Sequence, residues 1–93
     1  MRYAILIHDP ADDVGVAVRD LKAGEEVGAV TLEGCDMGGL KAAEDILLGH
    51  KVALREIPEK KPVIEYGRPI GRATKPVAKG SHVHVHNLKS LRW

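Results

Sequence analysis

The chain has 93 residues, of which 44% are hydrophobic and 29% charged, a balance typical of one folded domain rather than a disordered segment. It contains no Phe, two Tyr and one Trp, so the core must be aliphatic, and so small a core predicts a partner surface or a homo-oligomer. The formal net charge is +1 and acids and bases are interspersed, so the chain has no basic stripe for binding nucleic acid. It also has few aromatic residues that could stack on bases.

Short apolar segments separated by turn residues run along the chain and predict an all-β fold. The first, residues 2–8, has an apolar run too short for a signal peptide or a membrane span, which indicates a cytoplasmic protein without membrane contact. Residues 14–20 and 27–32 are the second and third predicted strands.

Cys35 is the single cysteine and has no partner for a disulfide, which also indicates a cytoplasmic protein. The remaining predicted strands are residues 52–55, 62–66, 69–73 and 81–88.

The segment GLKAAEDILLG, residues 39–49, has two interpretations. As a short helix it would place Leu40, Ala43 and Leu47 on one face and end at Gly49, and its residues have good helix propensity. The alternative is a strand-turn-strand unit from Ala42 onward, with at most one helical turn near residues 38–44.

An irregular internal repeat favours the second interpretation. Each copy has an Ala, an aliphatic residue four positions later, usually a Gly three positions after that, and a Val at the eleventh position; the copies are residues 17–27, 42–52, 53–63 and 73–83. We expect the aliphatic residue to be buried, the Gly to supply the positive φ of a tight turn, and the Val to enter the next strand. Lys60 replaces Gly in the third copy, so that turn either differs or holds Lys60 in a left-handed conformation.

The segment GSHVHVHN, residues 80–87, carries three histidines on alternate residues. In a strand, Val83 and Val85 would face the core while the three imidazoles share the other face. Same-face neighbours lie about 6.5–7 Å apart, so two imidazoles could converge on one ligand or metal ion if a neighbouring segment supplied further groups. The competing interpretation is a solvated strand face.

Three motifs in order, GHKVAL at residues 49–54, YGRPIGRAT at 66–74 and GSHVHVHN at 80–87, resemble the small subunit, or N-terminal domain, of the altronate dehydratase family. Galactarate dehydratase and sulfolactate sulfo-lyase belong to the same group. The resemblance covers nearly the whole chain and implies a single SAF-type domain over residues 1–93, with a compact β-clip fold. The family's large catalytic domain is absent, so the resemblance implies the small subunit of a two-component lyase, bound to a separate large subunit and inactive alone.

The reaction that the resemblance implies is a metal-dependent β-elimination on a small sugar acid such as altronate or galactarate, a hydro-lyase reaction. In the sulfolactate variant, sulfite leaves instead of hydroxide. The enediolate intermediate needs positive charge beside the carboxylate. A divalent metal, iron(II) or manganese, shared with the large subunit would supply it. The competing function is a non-catalytic module for carbohydrate binding or assembly.

The resemblance also indicates which side chains take part. His84 and His86 match the family's His-x-His-Asn motif and are expected either to ligate the metal or to protonate the leaving group. Two histidines are an incomplete metal site, which His8, the Asp12–Asp13 pair or the large subunit would complete.

Other residues of the motifs are candidates for substrate binding, each with a structural alternative. Lys51 either neutralises the substrate carboxylate or is an exposed strand residue, and His50 either contacts substrate or bonds to the backbone of its turn. Asn87 either donates to a substrate oxygen or turns the chain. His82 is interpreted as a solvated surface residue.

Two residues depart from the family pattern. Glu65 stands where Lys is usual before the Tyr-Gly pair, so any substrate contact of that Lys is lost or moved in this chain. Lys60 stands where Gly is favoured, which affects local shape.

Overall fold

The computed structural model describes residues 3–90, which form nine strands and no helix. The all-β prediction is therefore confirmed. The strands are β1 Tyr3–Ile7, β2 Val14–Ala17, β3 Glu26–Thr31, β4 Asp36–Lys41, β5 Lys51–Ala53, β6 Pro62–Glu65, β7 Arg68–Ala73, β8 His82–Val83 and β9 Leu88–Ser90. Among these residues, none belongs to a helix of the length and hydropathy that crossing a bilayer requires.

The strands form two sheets. The larger has the order β4-β3-β1-β2-β5-β8, and the smaller has the order β6-β7-β9. Neighbouring strands are antiparallel except β1 and β3, which are parallel. The apolar run of β1 is buried on both faces, with Ala4 and Ile5 fully buried and Ile7 2% exposed. Such double burial is expected of a strand in a part of the sheet that is covered on both faces.

The repeat copies pair two by two through reciprocal backbone hydrogen bonds. The amide of Gly49 donates to the carbonyl of Ala17 (2.8 Å), and the amide of Ala17 donates to the carbonyl of His50 (2.9 Å). The reciprocal bond runs from the first copy to the second, since the amide of Gly24 donates to the carbonyl of Ala42 at 2.7 Å. Copies three and four do the same, with Gly80 donating to Ala53 and Lys60 donating to Ala73, both at 2.8 Å.

The turn of each copy has the predicted conformation. Gly24, Gly49 and Gly80 have φ of 86°, 86° and 87°, and Lys60 has φ of 71°. Of the two alternatives for the third copy, the left-handed Lys60 is therefore confirmed. The amide of Lys60 donates to the carbonyl of Ala73, as each turn Gly donates to the Ala carbonyl of its paired copy. This pairing requires a left-handed conformation, which costs a non-Gly residue about 1–2 kcal/mol.

The aliphatic residues of paired repeat copies form β-bridges with each other and belong to the two hydrophobic core clusters. Leu21 pairs with Ile46 in a cluster built mainly on β1 and β3, and Ile57 pairs with Val77 in a second cluster with Val14 of β2. All four repeat residues are at most 4% exposed. Burial of each such side chain contributes about 1.5–3 kcal/mol, so the repeat supplies part of both clusters.

Of the two interpretations of residues 39–49, the strand-turn-strand unit from Ala42 onward is confirmed and the helix is wrong. Residues 36–41, for which no strand was predicted, form β4 and pair with β3. From Ala42 the chain follows the repeat, and Leu47 and Leu48 are 59% and 61% exposed instead of lining a helix face. Pairing of Ile46 with Leu21 outweighs the helix propensity of this segment, because propensity is a weak preference that tertiary contacts override.

The prediction of one continuous strand over residues 81–88 is wrong. The strand β8 ends at Val83, residues 84–87 form a turn, and β9 begins at Leu88. Val83 is buried as expected, whereas Val85 is 81% exposed and does not face the core. The other predicted strands are present, with ends that differ from the prediction by at most three residues, and Arg2 lies outside the described residues.

Replacing Gly80 by Ala is expected to destabilise the fold more than the same change at Gly24. Both residues have positive φ, which costs an Ala about 1–2 kcal/mol. A Cβ on Gly80 would also lie 2.2 Å from the carbonyl oxygen of Lys41, whereas nothing lies within 4 Å at Gly24. The overpacking adds about 1–3 kcal/mol at Gly80. Urea unfolding of the two variants measures this difference, and equal losses would contradict the close approach at Gly80.

Candidate functional site

The turn over residues 84–87 is held by the side chain of Asn87. Its Oδ1 accepts a hydrogen bond from the amide of His84, and its Nδ2 donates to the carbonyl of His82, both at 2.9 Å. The amides of Asn87 and Leu88 donate in turn to the carbonyl of His84. Asn87 is 5% exposed, so its amide group serves the backbone in this structure. Of its two interpretations, the chain-turning role is observed, and the substrate contact stays a prediction.

Three imidazoles come together where β5 meets β8. In that antiparallel pair Val52 lies opposite His82, and His50 precedes β5 by one residue, two positions before Val52. His50, His82 and His84 each offer one ring nitrogen, and these three atoms lie within 4.8 Å of one another. We call these residues the histidine cluster. The cluster is formed by neighbouring segments converging rather than by one strand face.

The rings of the cluster are close enough to interact directly. Nδ1 of His50 lies 2.8 Å from Nε2 of His82, a distance at which one neutral ring donates and the other accepts. The ring centroid of His50 lies 4.9 Å from that of His82 and 5.0 Å from that of His84. His86 lies outside the cluster of three but contacts it, with its ring centroid 5.2 Å from that of His82.

Burial lowers the pKa of His82 below its ordinary value of 6.5. Positive charge on His50, His86 and His84 lowers this pKa further, and the carboxylate of Glu44 opposes the shift. Desolvation and like charges both disfavour the imidazolium, so His82 is held neutral at pH 7. A neutral ring can accept a hydrogen bond or ligate a cation.

The sequence-based residue predictions fare differently in the structure. His84, predicted as a site residue, belongs to the histidine cluster, and His50 does as well. His82 lies at its centre and is half-buried, so its interpretation as a solvated surface residue is wrong. The repeat offers only an indirect signal: the chain follows equivalent turns after Gly49 and Gly80, but His50 stands one residue after its Gly and His82 two residues after.

His8, the third predicted metal ligand, lies in a different group of residues. Its Nδ1 is 3.5 Å from Oε2 of the buried Glu65, and Nζ of Lys51 is 3.8 Å from Oε1 of the same carboxylate. The His8 ring packs on Tyr66 with centroids 4.2 Å apart. Nδ1 of His8 is buried and has no hydrogen-bond partner within residues 3–90. Glu65 thus lies between two basic side chains.

The Asp12–Asp13 pair, the alternative source of metal ligands, is occupied by structural contacts. Both oxygens of Asp12 accept backbone hydrogen bonds, including those from Tyr66 and Gly67 at 3.1 and 3.0 Å. Oδ2 of Asp13 accepts from the amide of Ile64 and from Lys61, both at 2.9 Å. The two carboxylates therefore attach the start of β2 to the β6–β7 hairpin.

A cleft of 580 Å³ adjoins the histidine cluster. Its lining contains two lysines and one of the cluster imidazoles, and consists of Lys51, Thr74, Val83, His84, Val85, Leu88, Lys89 and Ser90. Side chains of both polar and apolar character therefore surround a space wide enough for a small acid. We call this space the cleft.

The donor set of the histidine cluster fits the divalent metal that the family resemblance implies. Neutral imidazole nitrogens are ligands for iron, zinc, nickel and copper, whereas manganese, magnesium and calcium prefer oxygen. No carboxylate belongs to the group of three in the described part of the chain. The donor chemistry thus favours iron(II) over manganese.

Comparison with known families identifies the domain. Residues 3–91 match the family model described as the altronate/galactarate dehydratase SAF domain. The chain belongs to this SAF-domain family. The resemblance inferred from the three motifs is therefore confirmed.

Similar proteins differ in how much of their own length the SAF domain accounts for. The alpha subunit of (2R)-sulfolactate sulfo-lyase from Chromohalobacter salexigens is 35% identical over 94 residues, with all of both chains covered. The altronate dehydratases of Bacillus subtilis and Escherichia coli are 38% and 41% identical over 90 residues. This chain spans 17% of the length of each of these two. The same domain thus occurs as a subunit and as part of a longer chain.

NMR titration of the imidazole protons should give His82 a midpoint below 6.5, because burial and the neighbouring imidazoles oppose its protonation. The same resonance in urea-unfolded protein is the control and should return to about 6.5. A midpoint at or above the unfolded value would contradict the described surroundings of His82.

Replacing Asn87 by Ala should destabilise the protein by about 1–3 kcal/mol, because the hydrogen bonds to the amide of His84 and to the carbonyl of His82 are both lost, each contributing about 0.5–1.5 kcal/mol. The exposed Lys89→Ala variant is the control and should change the unfolding free energy by less than about 0.5 kcal/mol. Urea unfolding measures both. Equal stabilities would show that the turn does not depend on Asn87.

Proposed function

We propose that this SAF domain is the small subunit of a two-component lyase that acts by β-elimination on a hydroxy acid, with a sugar acid such as altronate or galactarate as substrate. The observation that carries the proposal is the cleft, where Lys51 and His84 line one space beside the histidine cluster. Support for the subunit arrangement comes from the relative named as an alpha subunit, which this chain matches along its whole length.

The reaction needs positive charge at the substrate carboxylate and an acid at the leaving group. Removal of the proton next to the carboxylate creates an enediolate, which a cation held nearby stabilises. In the proposal Lys51 and Lys89 provide charge at the cleft. His84 acts in one of two ways: as the acid that gives a proton to the departing hydroxide, the role for which imidazole is the commonest side chain near neutral pH, or as a ligand of the metal ion.

The large subunit is proposed to supply what the described residues lack. Lys51 also lies 3.8 Å from the buried carboxylate of Glu65, which offsets part of its positive charge. Two lysines and an imidazole at an open cleft leave the base that abstracts the substrate proton unassigned. We therefore place that base on the companion chain, whose docking would also close the cleft to water.

A second candidate is the small subunit of a sulfolactate sulfo-lyase, favoured by the end-to-end match with the alpha subunit of that enzyme. The chemistry differs only in the leaving group, because sulfite departs in place of hydroxide. Sulfite is a weak base that needs no proton to leave, so the role of His84 as an acid would be less important in this variant.

The test is co-expression with a companion large subunit, followed by turnover assays with altronate, galactarate and (2R)-sulfolactate under anaerobic conditions with iron(II). Sulfite release separates the second candidate from the first. Lys51→Met should lower kcat/KM about 10- to 150-fold, because a charge-assisted contact contributes about 1.5–3 kcal/mol. His84→Ala should lower kcat about 100- to 10,000-fold for a substrate that loses hydroxide.

Lys75→Met is the matched control, since Lys75 is exposed and does not line the cleft. It should leave turnover unchanged. A complex that assembles and turns over equally well with the Lys51 and His84 variants would assign the SAF domain a non-catalytic role. Absence of turnover with all three acids, in an assembled complex, would overturn the proposed substrate class.

A further inference from the structure

The histidine cluster is held in place by backbone contacts on each of its three members. The amide of His50 donates to the carbonyl of Leu47 at 3.0 Å, within the turn that Gly49 closes. The amide of His82 donates to Oε2 of Glu44 at 3.1 Å, and that of His84 donates to Asn87. Such fixed main chains restrict where the three imidazoles can lie and reduce the ordering needed to bind a shared ligand.

The spacing of the ring nitrogens is close to that of a metal site. Two nitrogens bound to one tetrahedral ion at about 2.0–2.1 Å lie about 3.4 Å apart. Nδ1 of His50 and Nε2 of His82 are 2.8 Å apart. One ring nitrogen from each of His50, His82 and His84 can be chosen so that all three lie within 4.8 Å of one another. Side-chain rotations that move these atoms by about 1 Å would bring all three to bonding distance, within the range of ordinary rotamer adjustment.

The hydrogen bond between His50 and His82 does not prevent an ion from binding between the two rings. In the hydrogen-bonded pair, one neutral ring carries its proton on the nitrogen that faces the other ring. Moving that proton to the other nitrogen of the same ring presents two lone pairs to the shared space. A metal ion binds the neutral form of an imidazole, through such a lone pair.

We infer that His50, His82 and His84 bind one divalent transition metal ion through three imidazole nitrogens. Three protein ligands leave coordination positions open, as in catalytic rather than structural metal sites. His84 also lines the cleft, so an open position next to this ligand is accessible to an oxygen of a bound acid. This last step rests on the proposed function, whereas binding of the ion does not.

The ligands proposed from the structure differ from those that the sequence motif indicates. His84 is shared with the sequence-based set, but His50 and His82 replace His86 and His8. His8 lies beside Glu65 and Tyr66 and is not among the three residues whose nitrogens converge. This difference gives a matched pair of variants, one inside the cluster and one outside it.

The test is a cobalt(II) titration of the full 93-residue chain after removal of any affinity tag, followed by visible absorption. We expect saturable binding of one ion per chain, with ligand-field bands of a site of low coordination number, and no displacement by excess magnesium. His82→Gln should weaken cobalt binding by more than about 100-fold, and His8→Gln should retain it within about threefold. Circular dichroism verifies that both variants are folded.

Zinc(II) binding followed by NMR is the second measurement, and it should shift the imidazole signals of His50, His82 and His84 while leaving those of His8 unchanged. The inference is overturned if the wild-type chain shows no saturable site, if His82→Gln binds as tightly as wild type, or if His8→Gln loses the ion. Lyase turnover in the complex without metal binding by this chain would overturn this inference and leave the proposed function standing. A bound ion without turnover on any of the three acids would overturn only the proposed function.

Discussion

Reciprocal hydrogen bonds between paired repeat copies are the constraint on which the rest of the structure depends. In each pair, the turn amide of one copy reaches the Ala carbonyl of the other, and the Ala amide reaches the carbonyl after the turn residue. A single copy could satisfy neither group by itself, and buried backbone groups must be paired. The pairing therefore fixes the register of both copies at once and buries the bridging aliphatic residues between them.

The position of the histidine cluster depends on this pairing of repeat copies. The carbonyl of His50 accepts the bond from Ala17, and the carbonyl of Ser81 accepts the corresponding bond from Ala53. Both residues follow the turn glycine of their copy, so the chain is anchored just where the imidazoles begin. Asn87 then bends the last segment back, which keeps His84 near the other two rings instead of one strand step away. The site is thus a consequence of two turns and one side-chain amide.

Much of this architecture follows from the sequence, because the repeat records local requirements. A position with a left-handed conformation favours Gly, and the left-handed Lys60 was one of the two alternatives that its place in the pattern predicted. The sequence of the repeat does not predict which copies pair with each other, because the pairing depends on contacts between residues far apart in the chain. The alternation of His and Val over residues 82–86 was misleading for a similar reason, because the bonds of Asn87 end the strand at Val83.

The carboxylates show a division between structural and functional roles that residue type alone does not reveal. Asp12 and Asp13 resemble metal ligands in sequence, yet their oxygens are occupied by backbone amides and Lys61. Glu65 lies between His8 and Lys51 and is buried. With these acids engaged, the convergent imidazoles are the group in residues 3–90 that offers several donors to one ligand.

The most direct measurement of this account is an anomalous difference map from crystals of the chain grown with zinc(II). The account predicts one strong peak about 2.0–2.1 Å from nitrogens of His50, His82 and His84. A peak on His8 or on the Asp12–Asp13 pair, or imidazoles bonded to one another with no peak between them, would contradict it.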